Sequence, residues 1–82
     1  MQLPNELKEA GWNIKESKLF KIFKFPNFIE AFSFMTKMAF ISEKMDHHPN
    51  WLNVYNTVEV TLFTHSEGKI TEKDIEWAKQ SN

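Results

Sequence analysis

His47 and His48 stand side by side immediately before Pro49, and His65 is the only other histidine in the chain. Imidazole titrates near neutrality, so two of them in one pocket can supply a base and an acid together. Glu43 lies four residues before His47, which on a helix puts both on one face. A carboxylate there can hold one ring nitrogen and select the tautomer. Trp51 and Tyr55 follow closely and offer packing surfaces for a flat heteroaromatic ligand. Two other readings stay open at this point. Histidines at element ends are commonly solvated polar residues, and three imidazoles suit zinc. Against zinc, the spacings H-E-x-x-H and H-x-H are missing, and adjacent residues on a helix diverge by about 100°. No serine or cysteine nucleophile motif is present, and the two glycines make no phosphate loop. Proton transfer is the chemistry that remains.

The elements around these residues are legible from spacing. Asn5 as N-cap and Gly11 just past the end bracket a short helix in "NELKEA". "WNIKE" and "KLFKIFKF" read as strands joined by a tight turn at Ser17 and Lys18. Pro26-Asn27 then resets the pattern, and apolar residues recur at helical spacing from Phe28 to Met45. The stripe is wide enough to meet both a core and a partner. Pro49 forces His48 out of the helical region, so the histidine pair marks the helix exit. From Trp51 to Thr64 the chain alternates, with Val54, Val58, Val60 and Leu62 on one face and Tyr55, Thr57, Glu59, Thr61 and Phe63 on the other. "YNT" is read as a hairpin turn within this run, which would bring His65 back beside His47. Thr71, with Asp74 three residues on, has capping-box spacing and opens a last helix carrying Ile75 and Ala78. The order is α-β-β-α-β-β-α, and the economical α+β arrangement is a four-stranded antiparallel sheet with three helices on one face.

The bulk composition narrows the class further. At 82 residues the chain is one domain, residues 1–82. A domain of that size buries only about 60% of its unfolded surface and gains from self-association. A homodimer or homotetramer is expected, since edge strands also need cover. The absence of cysteine excludes disulfides and thiol chemistry. A net charge of −1 argues against nucleic acid. The apolar run "AFSFMTKMAFI" is cut by Lys37 and too short to span a bilayer, and "MQLPNELKEAG" is too polar for a signal peptide. These features predict a soluble, cytoplasmic protein without nucleic-acid or membrane partners.

The pattern Glu43, His47-His48-Pro49, Tyr55, His65, Asp74 resembles the signature of the pterin-4a-carbinolamine dehydratases. "GW" at Gly11-Trp12, "FKF" at Phe23–Phe25, "AFSFMT" at Ala31–Thr36 and "WLNVYNTV" at Trp51–Val58 extend the resemblance over almost the whole chain. The resemblance implies a hydro-lyase that converts 4a-hydroxytetrahydropterin to quinonoid dihydropterin in tetrahydrobiopterin recycling, without metal or organic cofactor. It implies His47 and His65 as proton carriers with Glu43 tuning His47. It also implies a substrate-binding set of Asp46, His48, Trp51, Phe63, Thr64 and Ser66, with Asp74 and Tyr55 in support. Two positions depart from the family pattern: Phe63 is bulky where a small serine is usual, and the last helix is short. The resemblance also carries alternatives, a dimerisation or coactivator-type interaction module built on the long helix, or a pterin-binding protein of another pathway.

Overall fold

Pro4, not Asn5, occupies the N-cap of the first helix, and it contributes no side-chain hydrogen bond. Its carbonyl instead accepts from the N–H groups of Leu7 and Lys8 at 3.0 and 3.2 Å. The computed structural model describes residues 2–82 and places this helix, α1, at Asn5–Glu9. Gly11 ends it at a φ of 102°. Its N–H reaches Lys8 and that of Trp12 reaches Leu7, the paired closing bonds that a glycine in this conformation permits.

Strands β1 (Asn13–Lys15) and β2 (Lys18–Lys24) follow, joined by Glu16 and Ser17. Both turn residues are left-handed, at φ 52° and 66°. That two-residue geometry matches the right-handed twist of the strands it joins. Helix α2 spans Phe28–Met45, with the Asn27 side chain accepting from Glu30 N–H at 2.9 Å. Strands β3 (Asn50–Val54) and β4 (Thr57–Leu62) form a second hairpin through Tyr55 and Asn56, and α3 runs from Glu72 to Gln80. The sheet is antiparallel throughout, in the order β1-β2-β4-β3.

One face of the sheet carries the core. Leu19, Phe23, Val58, Val60 and Leu62 point into it and meet Leu7 of α1, Ala31 and Met38 of α2, and Ile75, Trp77 and Ala78 of α3. Val54 departs from its expected side. The turn at Tyr55-Asn56 pairs it with Thr57, so it lies on the open face, 64% exposed. Lys21 sits on the core side between Leu19 and Phe23, half-buried, and burial lowers its pKa below the ordinary lysine range. Its ammonium group rests 4.3 Å from the Phe23 ring centroid.

Trp77 is fully buried at the centre, edge-on to Trp12 and Trp51 at 6.4 and 6.2 Å. Its indole N–H donates to Ser42 Oγ at 2.8 Å, and Ser42 donates to the Met38 carbonyl at 2.7 Å. This polar staple between α2 and α3 lies inside the core, so losing the hydroxyl leaves the indole N–H unpaired. Ser42→Ala is expected to destabilise the fold by about 1–3 kcal/mol by orphaning the indole. Urea denaturation checks this, and in a double-mutant cycle with Trp77→Phe, itself destabilising through lost volume, the two losses should be less than additive.

Candidate active site

The end of α2 decides where the paired histidines go. Asp46 adopts the left-handed conformation at φ 52°, a role that a short polar side chain tolerates better than most. Asp46 N–H then bonds Glu43 O at 3.2 Å and His47 N–H bonds Ser42 O at 3.0 Å. The chain reverses over this turn and separates the two rings. His47 turns inward and is 9% exposed, whereas His48 turns outward.

His47 Nε2 lies 2.6 Å from Asp74 Oδ1. Asp74 is fully buried, and its second oxygen accepts from Thr64 Oγ1 at 2.8 Å and Thr71 N–H at 2.9 Å. Thr64 has spent its only hydroxyl proton on Asp74, so the 2.7 Å contact between Thr64 and Thr71 hydroxyls runs from Thr71 to Thr64. Thr71 Oγ1 in turn accepts from Lys73 N–H at 3.3 Å. Asp74, the carboxylate of the α3 capping box, is therefore also the partner of a histidine 27 positions away. With a carboxylate on Nε2, that nitrogen carries the proton of the neutral ring, and Nδ1 is left without one.

Glu43 does not touch His47. Its Oε2 lies 2.6 Å from Nε2 of His48, because the turn after Met45 folds His48 back along the helix end while His47 swings inside. This second pair is solvent-facing. His48 also lines a small cavity of about 30 Å³ with Lys18, Asn50, Thr61, Phe63 and His65. The register explains the convergence: Asn50 pairs with Thr61, so the start of β3 and the end of β4 lie together. Phe63 stands edge-on to His65 at 5.2 Å and fills much of this corner. The pocket is too small to enclose a bicyclic ring and adjoins a groove of about 190 Å³ that shares Lys18 and Thr61.

His65 sits on a tight turn held by Gly68 N–H to Thr64 O at 2.9 Å and Thr64 N–H to Lys69 O at 3.1 Å. Thr64 thus touches the His47–Asp74 pair through its side chain and carries His65 on the next residue. Ser66 is exposed on the same turn and lines a separate groove with Thr64 and Thr71. Trp51 pairs with Val60, so its ring lies on the core side against Trp77, away from the face lined by Thr61 and Phe63. Tyr55 is at the far turn of the β3–β4 hairpin, exposed and left-handed, distant along the strands from His65. Lys18, Asn50 and Thr61 line the cavity without any local signal in the sequence; only strand pairing brings them there. Among the described residues, no three His, Asp or Glu side chains gather as a metal site. Nor is any helix among them long and apolar enough to cross a membrane.

A helix-backed antiparallel sheet, with a buried carboxylate-held histidine at the exit of its long helix and two further histidines lining a cavity, defines a small α+β domain. The family model described as pterin 4 alpha carbinolamine dehydratase matches residues 1–82, and the chain belongs to that family of hydro-lyases. It is 53% identical over 72 residues to a protein of Prochlorococcus marinus (strain NATL2A) named "Putative pterin-4-alpha-carbinolamine dehydratase", covering 88% of this chain and 76% of that one. A protein of the same name from Chelativorans sp. (strain BNC1) is 48% identical over 84 residues, covering 99% and 86%. Among solved structures, a "transcriptional coactivator/pterin dehydratase" from Brucella melitensis superposes with a TM-score of 0.88 at 46% identity. The match covers 95% of this chain and 87% of that one.

Proposed function

We propose that the chain dehydrates 4a-hydroxytetrahydropterin to the quinonoid dihydropterin, with His47 and His65 as the proton carriers. The C4a–O bond breaks as the N5 electron pair closes a C4a=N5 double bond. One imidazole takes the N5 proton and the other protonates the departing hydroxyl, which leaves as water. His47 suits the base, because Asp74 fixes its tautomer and offsets the charge it gains. His65, exposed at the cavity, suits the acid. His48, tied to Glu43, orients the ring. The observation that carries the reading is the buried His47–Asp74 pair, joined through Thr64 to the turn bearing His65. The product is one that a reductase returns to tetrahydropterin, which fits cofactor recycling.

Stopped-flow absorbance on freshly generated 4a-hydroxytetrahydropterin tests this. Acceleration at catalytic protein concentrations is expected, and none from folded protein overturns the reading.

Assembly follows from α2. Ile29, Phe32 and Phe40 are 72, 55 and 74% exposed, an apolar face that the monomer leaves uncovered. A second copy covering this face forms a homodimer or homotetramer in our reading. Light scattering should give a mass above the 9.8 kDa of one chain. Phe32→Glu with Phe40→Glu should return it to the monomer; a monomeric wild type at micromolar concentration sinks this assembly.

A further inference from the structure

The cation beside the histidine cavity belongs to a pair. The β1–β2 register sets Lys15 directly opposite Lys18 across a two-residue turn. Like charges facing each other across strands are destabilising, and an anion seated between them would offset that cost. Neither lysine has an ion-pair partner among the described residues. Each head group rests on an aromatic ring instead, Lys15 at 4.7 Å from the Phe20 centroid and Lys18 at 5.2 Å from that of Phe63. Those rings hold the ammonium groups in place without neutralising them. Both lysines line the groove of about 190 Å³ with Glu16, Phe20 and Thr61, and Lys18 also lines the cavity of His48 and His65. Two cations against the single Glu16 make this groove locally basic in a chain whose net charge is −1.

We infer that the pterin this chain acts on carries an anionic group, a phosphate or a carboxylate, on its side chain, seated between Lys15 and Lys18. The inference rests on the dehydratase reading. With the ring oriented by His48 beside His65, the ring substituent runs out along Phe20 and Thr61 to the lysine pair. A lysine there acts as a point charge and selects for the tail, leaving the ring chemistry to the histidines.

The test compares 4a-hydroxy derivatives of tetrahydroneopterin, tetrahydroneopterin 3′-phosphate and tetrahydropterin-6-carboxylate, alongside fluorescence-quenching titration with the corresponding oxidised pterins. At low ionic strength the phosphate or carboxylate substrate should show kcat/KM about 10-fold above the neutral one, carried by KM, and the gain should fade with salt. The two anionic compounds distinguish which tail is preferred. The ratio of anionic to neutral kcat/KM should fall to near one in Lys15→Gln and Lys18→Gln, and invert in Lys15→Glu. A merely structural role would slow all substrates alike and leave that ratio unchanged. Equal kcat/KM in the wild type overturns the inference, as does a preference that survives both glutamine variants. Turnover of the neutral compound then still upholds the dehydratase reading. Tighter binding of the anionic pterins without turnover of any substrate keeps the lysine site and removes the dehydratase reading. Neither preference nor turnover removes both.

Discussion

His65→Ala is expected to slow dehydration of 4a-hydroxytetrahydropterin by about 10²–10⁴-fold, the range for removing a positioned general acid or base. His65 is exposed, on a turn whose backbone bonds run through Thr64, Gly68 and Lys69, so the fold does not depend on its ring. Its neighbour contact is the edge of Phe63 at 5.2 Å. The change should therefore appear in turnover while the urea midpoint stays near the wild-type value. His47→Ala should match the loss in rate but also lower stability, because it strips a partner from the buried Asp74. Stopped-flow rates and denaturation on the same preparations separate the two. An unaltered rate in His65→Ala would remove it as proton carrier. A large loss in His48→Ala, with His47→Ala near wild type, would transfer the base role to the outer histidine.

Asp74→Asn should cost both stability and rate. The carboxylate accepts three hydrogen bonds inside the protein, from His47, Thr64 and Thr71. An amide can accept at one oxygen only, and its NH₂ meets donors, so at least one buried donor loses its partner. The expected loss is about 2–5 kcal/mol for breaking such a buried network. A domain of this length has only about 4–12 kcal/mol in total. Turnover should fall as well, by about 10²-fold or more, because His47 loses the group that sets its tautomer and offsets its charge. Urea denaturation gives the stability. Rates measured at low temperature, where circular dichroism shows the fold intact, give the second effect separately. Normal turnover in folded Asp74→Asn would reduce Asp74 to a helix cap.

Asp74 caps α3 and holds His47 from one position, and local spacing reveals only the cap. Thr71 and Asp74 are three residues apart, so their capping box is a local fact that spacing reveals. The pairing with His47 spans 27 residues and depends on how α3 packs against the end of α2. Glu43 shows the converse. Helical spacing assigned it to His47, but the helix ends in a left-handed Asp46, and the reversal there hands Glu43 to His48.

Local pattern carries the element order, the span of the long helix from Phe28 to Met45 and the hairpin at "YNT". These depend on apolar periodicity, caps and turn residues that act within a few positions of one another. The tertiary structure alone decided which imidazole enters the protein and which faces the cavity. It also turned Trp51 towards the core, put Val54 on the open face, and set Lys15 and Lys18 opposite each other beside the histidines. The reason is geometric. Strand register alternates faces with every residue, and a single left-handed residue redirects a chain, so a shift of one position reassigns every partner while the local pattern reads the same.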